Sequence, residues 1–132
     1  MFTGIITDLG RVRAVSRQSL TRLEIETRYP AESIAIGASI ACSGACLSVV
    51  ERVPGWFAVE ASAETLSKTT LGDWRSGTAV NLERPLKLGD ELGGHLVLGH
   101  VDGVGTLIER RPDAGSLRLT FEARHCNCRW RG

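Results

Sequence analysis

The feature that most constrains this fold is an internal repeat, because residues near position 100 resemble the start of the chain. When residues 1–12 are placed over residues 96–107, glycines fall on glycines and aliphatic residues on aliphatic residues. The coincident pairs are Gly4 with Gly99, Ile6 with Val101, Gly10 with Gly105 and Val12 with Leu107. After a slip of one residue, residues 22–26 fall on residues 118–122. The spacing predicts a duplicated domain and not a solenoid, with chance similarity among Gly- and Val-rich strands as the alternative.

The repeat predicts a domain organisation for the 132 residues. A first module occupies residues 1–95, the beginning of a second occupies residues 96–123, and residues 124–132 form a divergent tail. A module of about 95 residues is long enough to close a modest hydrophobic core without help.

Charge and hydropathy exclude several classes of partner. The chain contains sixteen basic and fifteen acidic residues, which gives a net charge of +1, and the basic residues form no block. We therefore expect neither nucleic acid nor an anionic membrane as a partner. No apolar run is long enough for a bilayer span, and the chain does not open with a basic segment. These features predict no signal peptide, no membrane segment and a cytoplasmic location.

The four cysteines do not form a pattern typical of zinc sites or disulfide frameworks. Cys42 and Cys46 are separated by three residues, and Cys126 and Cys128 by one. Zinc sites usually carry two pairs at Cys-x-x-Cys spacing. His125 beside Cys126 is compatible with a metal ligand, but the spacing favours no metal and reduced thiols, as in a cytosolic protein.

Most of the chain has the alternation and turn residues of short strands. Residues 20–27 alternate cleanly, with Leu23 and Ile25 on one face and charged residues on the other. The other predicted strands are residues 5–15, 39–42, 46–50, 56–61 and 79–83, with an interruption at Gly44 and a predicted hairpin turn at Pro54-Gly55. One short helix is predicted over residues 64–68, with Ser62 as its cap. About six strands at spacings of roughly ten residues favour a small antiparallel barrel or sandwich.

Three side chains could carry chemistry, although an ordinary structural role is the alternative for each. His95 and His100 are five residues apart, which places them on opposite faces of a strand and argues against a shared metal. His100 follows Gly99, a residue that lets a ligand or another backbone approach closely. Cys46, taken alone, fits a small buried hydrophobic residue.

Five stretches in collinear order are similar to riboflavin synthase of the alpha-chain type. They are residues 1–6, 44–49, 64–72, 80–84 and 93–103. The similarity ends near Ala123, and the remaining residues diverge. It implies a chain that stops within the second of two repeats.

The resemblance implies a fold and a reaction. Members of this family contain two six-stranded Greek-key barrels, each binding one lumazine, and a C-terminal helix that holds a homotrimer. In the reaction, one 6,7-dimethyl-8-ribityllumazine donates a four-carbon unit to a second, giving riboflavin and a ribitylamino-pyrimidinedione. No metal or organic cofactor is required. Two facing pockets make the bimolecular step effectively unimolecular.

The resemblance also implies the site residues. Ser39, Cys46 and His100 would be the catalytic polar groups near the reacting atoms, with His100 suited to proton transfer near neutral pH. The substrate-binding residues would be Gly4, Ile5, Ile6, Cys46, Leu47, Ser48, Glu60, Ala61, Ser62, Ala63, Glu64, Thr65, Gly99, His100 and Val101.

Other functions remain open on sequence alone. A non-catalytic lumazine- or flavin-binding protein of the same fold is the main alternative, and an inactive shortened product is another. A barrel used only for protein interaction is a third. The assembly of this chain could be a dimer or a monomer in place of the homotrimer.

Overall fold

The computed structural model describes residues 1–123 and contains a closed barrel of six antiparallel strands. The strands are β1 (Asp8–Arg17), β2 (Thr21–Glu26), β3 (Ser39–Cys42), β4 (Ala45–Val53), β5 (Trp56–Ala61) and β6 (Ala79–Glu83), and the helix α1 (Ala63–Lys68) lies between β5 and β6. Two further strands, β7 (Gly105–Asp113) and β8 (Ser116–Ala123), form a separate hairpin.

The strand order around the barrel is β1-β2-β5-β4-β3-β6. Strands β3, β4 and β5 follow one another as hairpins, and β6 then returns beside β3, which is a Greek key. The predicted all-β, six-stranded Greek-key barrel with one short helix is therefore confirmed.

The chain forms two compact units, of which the first is Met1–His100 and the second begins at Val101. The predicted boundaries at residues 95 and 123 stay predictions, as does the assignment of the β7–β8 hairpin to a second barrel. Within residues 1–123, no helix has the length and apolar character needed to cross a membrane.

Two tight turns fix the β3–β4–β5 meander. Ser43 and Gly44 both have positive φ, at 48° and 89°, which is the geometry of a type I′ hairpin turn. Gly55, at φ 89°, follows Pro54 and closes the next hairpin, as the sequence predicted. These turns set the register in which Ser39 pairs with Ser48.

The barrel interior is a hydrophobic core built by strand alternation. In β2, Leu23 and Ile25 are fully buried, which confirms the predicted inward face. In β4, Ala45, Leu47 and Val49 face inward, while the residues between them are exposed. In β2 and β4, therefore, one face fills the barrel, while the other face is partly or fully exposed.

The start of the chain differs from the sequence-based expectation. Residues 5–15 were predicted as one strand, but β1 begins only at Asp8. Phe2 instead pairs with Val97 in an isolated antiparallel bridge. Gly4, at φ +84°, turns the chain out of this bridge before β1 begins.

The β7–β8 hairpin has the same register as the β1–β2 hairpin. Each contains one register shift, between Val12 and Ala14 in β1 and between Leu107 and Glu109 in β7, and the sequence repeat superimposes these positions. Three residues separate β1 from β2 at the tip, whereas four separate the equivalent Pro112 and Leu117. This extra loop residue is the one-residue slip in the repeat. A shared bulge argues against chance similarity of the two sequences.

Asp8 is a buried carboxylate that fastens the end of β2 to β1. Its side chain is only 2% exposed and accepts hydrogen bonds from Thr27 Oγ1 at 2.7 Å, Arg28 N at 2.9 Å and Arg28 Nε at 2.7 Å. Burial alone would raise the pKa of Asp8, but the hydrogen bonds and the charge of Arg28 together lower it below the ordinary 3.8.

We expect Asp8→Asn to lower the free energy of unfolding by about 2 kcal/mol at pH 7, because it weakens charge-assisted hydrogen bonds to a buried group. Since the folded-state pKa is depressed, the wild-type advantage is full above the unfolded-state value and disappears as pH falls through the folded-state value. Urea unfolding of both proteins at pH 7 and pH 2.5 tests this. A difference that persists undiminished at pH 2.5 would contradict the assignment.

Candidate functional site

The outer face of the β3–β4 hairpin carries three of the predicted site residues. Ser39 and Ser48 are direct cross-strand partners, and Cys46 lies two residues before Ser48 on the same side of β4. Ser48 and Cys46 are exposed and Ser39 is half-buried. We refer to these three residues as the β3–β4 outer face. Its hydroxyl and thiol groups offer both donors and acceptors to a polar ligand.

Residues from beyond the barrel reach Cys46. The Cys46 backbone N–H donates to the carbonyl oxygen of Gly99 at 2.9 Å. A Cβ on Gly99 would lie 2.8 Å from Cys46 Cβ and 2.9 Å from the ring of Phe2. Gly99 also has φ +77°, so both space and backbone conformation require glycine here. The segment that carries His100 is thereby attached next to the thiol.

This attachment continues through an antiparallel pairing with the first residues of the chain. Phe2 N donates to Val97 O at 2.7 Å, and Val97 N donates to Phe2 O at 2.9 Å. His95 N donates to Thr3 O at 3.0 Å. Phe2 and Val97 occupy equivalent positions of the sequence repeat, so equivalent segments of the two repeats pair with each other.

A buried carboxylate that we did not predict as a site residue holds the first residues in place. Glu83, at the end of β6, is 5% exposed. It accepts hydrogen bonds from Thr3 N at 2.5 Å, Thr3 Oγ1 at 2.7 Å and Gly4 N at 3.1 Å. No residue pattern signals this role, because a charged residue on the outward side of a strand is ordinarily exposed.

The two cysteines of the hairpin have opposite environments. Cys42 faces the core and is fully buried, whereas Cys46 is exposed. Burial raises the pKa of the Cys42 thiol, and the nearby Cys46 thiol adds to the rise. Because the thiolate is the reactive form, only Cys46 is suited to chemistry with a ligand.

The predicted stretch from β5 into α1 contributes a capped helix start. Ser62 caps α1 by accepting from Thr65 N at 3.2 Å, and the two hydroxyl groups are 3.0 Å apart. Glu64 is the acidic residue of the first turn, where it is favourable against the helix dipole. The predicted cap and helix are confirmed, while contact of Ser62, Ala63, Glu64 or Thr65 with a ligand stays a prediction.

Other predicted residues have different surroundings. The side chains of Leu47 and Ala61 lie in the barrel core and are 4% and 2% exposed, so only their backbone could contact a ligand. Ile5 and Ile6 are nearly half exposed beside the chain start. Val101 begins the second unit.

Two surface depressions lie away from the β3–β4 outer face. One, of about 450 Å³, is lined by Arg11, Arg28 and Trp56 among others, and Arg13 stacks over Trp56 at 4.9 Å. A smaller one of about 200 Å³ includes Glu60 together with Arg22. Neither depression is lined by Ser39, Cys46 or His100.

Among residues 1–123, no three His, Cys, Asp or Glu side chains are grouped to hold a metal ion. The possible metal ligands His125 and Cys126 belong to the divergent tail, residues 124–132, which lies outside the described residues, as does Cys128.

The chain is similar to known proteins over most of its length. Residues 3–85 match the family described as lumazine binding domain. The chain is 53% identical over 129 residues to the riboflavin synthase of Brucella abortus, covering 93% of this chain and 64% of that protein. It is 44% identical over 116 residues to the riboflavin synthase of Mycobacterium tuberculosis, covering 85% and 57%. The chain thus spans less than two thirds of the length of these curated relatives.

Solved structures give the same fold. The complex of LumP with riboflavin matches with a TM-score of 0.72 and 25% identity, covering 92% of this chain and 66% of that one. The complex of LumP with 6,7-dimethyl-8-(1'-D-ribityl) lumazine matches with a TM-score of 0.75 and 24% identity, covering 94% and 69%.

Proposed function

We propose that this chain, which belongs to the lumazine-binding domain family, is a riboflavin synthase or the barrel-bearing part of one. The reaction is the dismutation of two 6,7-dimethyl-8-ribityllumazine molecules. One gives up a four-carbon unit and becomes the ribitylamino-pyrimidinedione, and the other accepts it and becomes riboflavin. The activity is that of a transferase with no cofactor.

The observation that carries this proposal is the attachment of the Gly99–His100 segment beside Cys46. Sequence positions 46 and 99 are joined by one hydrogen bond of 2.9 Å, from Cys46 N to Gly99 O, and His100 is the next residue. The backbone segment that carries His100 is thereby held beside Cys46, on the barrel face that also carries Ser39 and Ser48. The resemblance assigns Ser39, Cys46 and His100 to the reacting atoms and Ser48 to substrate binding.

Each group has a chemical task that its surroundings allow. Ser39 and Ser48 can donate to and accept from the polar edge of the pyrimidine ring. Cys46, being exposed, can approach an electrophilic ring carbon, and His100 can take or return a proton. Holding a second lumazine face to face with the first supplies the remaining rate enhancement through orientation.

The shared register of the two hairpins supports a two-pocket arrangement. A duplicated barrel offers two related pockets, one for the donor and one for the acceptor of the four-carbon unit. The described residues contain one closed barrel. We therefore expect this chain to bind lumazine in its first barrel, and we expect turnover to depend on a second pocket from the same or another chain.

We also propose the cytoplasm as the location and a homotrimer as the assembly of the full-length enzyme. For the 132-residue chain, a dimer or a monomer is the expected alternative. Light scattering coupled to size-exclusion chromatography distinguishes the three.

The test is incubation of the purified chain with 6,7-dimethyl-8-ribityllumazine while riboflavin fluorescence is recorded. Riboflavin formed together with the pyrimidinedione in equal amounts supports the enzyme. Binding of lumazine or riboflavin without turnover would support the second candidate, a non-catalytic binder of the same fold. Failure to bind either compound would contradict both.

Substitution of one hydroxyl locates the binding face. We expect Ser48→Ala to weaken lumazine binding about fivefold to tenfold, because one hydrogen bond to the ligand is lost. Ser76→Ala, which changes an exposed serine in the turn before β6, is the matched control and should leave the Kd unchanged. Fluorescence titration measures both, and equal affinities for the two variants would place the ligand elsewhere.

A further inference from the structure

The buried carboxylate of Glu83 lies in the same row as Cys46. Across the sheet, Glu83 pairs with Ala41, and Ala41 pairs with Cys46 on its other side. Glu83 and Cys46 are therefore two strand spacings apart, which corresponds to roughly 10 Å. Glu83 is nevertheless 5% exposed, because the start of the chain covers it.

The segment held by Glu83 also holds the segment that contacts Cys46. Glu83 accepts three hydrogen bonds from Thr3 and Gly4. The adjoining Phe2 exchanges two backbone hydrogen bonds with Val97. Two residues beyond Val97, Gly99 accepts from Cys46 N and packs on the Cys46 side chain.

We propose that Glu83 is a positioning residue for the Cys46 end of the site. Its carboxylate holds Thr3 and Gly4, and the Phe2–Val97 pairing transmits that constraint to Gly99 and so to Cys46. The role in turnover rests on the proposed function, whereas the structural linkage from Glu83 to Cys46 does not. Glu83 is not itself among the predicted site residues, and the one predicted site residue to which its carboxylate hydrogen-bonds is Gly4, through the backbone N–H.

The start of the chain is held in place because the buried carboxylate of Glu83 needs hydrogen-bond donors. A carboxylate withdrawn from water is costly unless donors surround it, and hydrogen bonds to a charged acceptor are stronger than neutral ones. Two backbone N–H groups and one hydroxyl supply those donors. The first residues of a chain are ordinarily poorly ordered unless they are tied down. Here the tie also orders a segment that is distant in sequence.

The test is Glu83→Gln in the full 132-residue chain, read by amide hydrogen exchange. The amide side chain keeps one acceptor but places an NH₂ group against the donors of the chain start. We expect exchange at Cys46 N–H to accelerate about tenfold, because the Gly99 carbonyl is no longer held in place. Alkylation of the Cys46 thiol by iodoacetamide, mapped by peptide mass spectrometry, should accelerate several-fold. Amides of β2 and β5 should keep their protection.

Two further variants keep the proposal open to refutation. Thr3→Val removes only the hydroxyl donor to Glu83 and should accelerate hydrogen exchange at Cys46 N–H by a smaller factor. If Glu83→Gln does not fold, Thr3→Val provides the test in its place. Glu91→Gln changes an exposed carboxylate in the same unit and is the matched control. If Glu83→Gln and Thr3→Val both leave Cys46 exchange within twofold of the wild type, the proposal is wrong.

The turnover measurement separates this inference from the proposed function. If the wild type makes riboflavin, Glu83→Gln should lower kcat about tenfold and change the lumazine Kd less than threefold, since Ser39 and Ser48 remain in place. A purely structural role would lower the fraction of active protein without changing Cys46 alkylation in the folded fraction. If the wild type makes no riboflavin, the proposed function fails, while the exchange at Cys46 still decides the linkage.

Discussion

Gly10→Ala is expected to lower the free energy of unfolding by about 3 kcal/mol or more, which is a large part of the stability of a small domain. A Cβ at this position would lie 2.5 Å from the carbonyl oxygen of Glu26, 2.7 Å from Leu82 Cδ1 and 3.1 Å from Ile25 Cγ2. The first of these atoms belongs to the backbone of the paired strand, so relief requires β1 and β2 to separate. Chemical denaturation of the variant and the wild type at pH 7 measures the difference.

Two other glycines serve as comparisons for this prediction. Gly105 occupies the equivalent position of the second repeat, and its Cβ would lie 3.3 Å from the Glu122 carbonyl, so Gly105→Ala should cost less. A Cβ on Gly103 would meet nothing within 4 Å, so Gly103→Ala should change stability by no more than about 0.5 kcal/mol. A Gly10→Ala variant as stable as Gly103→Ala would contradict the close packing of β1 on β2.

The barrel could be predicted from the sequence because local signals agreed with one another. Alternation placed Leu23 and Ile25 inward, Pro54 and Gly55 marked a hairpin, and Ser62 marked a helix start, as the structure has them. The repeat added a constraint that alternation alone lacks, since the same bulge occurs in both copies. Agreement among independent local signals is what makes a fold predictable.

The start of the chain could not be predicted in the same way. Residues 5–7 continue the alternation of β1, but the partner of Phe2 is 95 positions away and the anchor of Thr3 is 80 away. Alternation reports which face of a strand is buried and carries no information about which distant segment pairs with it. The burial of Glu83 follows from that pairing and was therefore missed.

The ligand contacts of the candidate site stay a prediction, and the residues proposed for it came from the resemblance, whereas the fold came from local sequence patterns. Ser39 and Ser48 share one face because the turn at Ser43 and Gly44 sets their pairing, a register that the residue pattern alone did not specify. The expectation that the segment around His100 lies near Cys46 came from the resemblance and not from any pattern in the residues. Leu47 and Ala61 were included because they adjoin motif residues, but their inward side chains follow from the strand period of two.

The second large effect concerns the exposed thiol. We expect Cys46→Ala to lower riboflavin formation about hundredfold, the lower range of what a positioned reactive group contributes, while lumazine binding changes less than threefold.

Cys42→Ala is the matched control. Cys42 lies four residues away but faces the core, where burial raises its pKa and keeps the thiol neutral. The Cys42→Ala variant should lose about 1 kcal/mol or more of unfolding free energy because of the cavity it creates, while its kcat should stay within twofold of the wild type. Single-turnover kinetics at saturating lumazine, with binding measured separately by fluorescence, distinguishes the two variants. Equal losses of kcat for Cys42→Ala and Cys46→Ala would mean that the thiol on the β3–β4 outer face supports the barrel and takes no part in the chemistry.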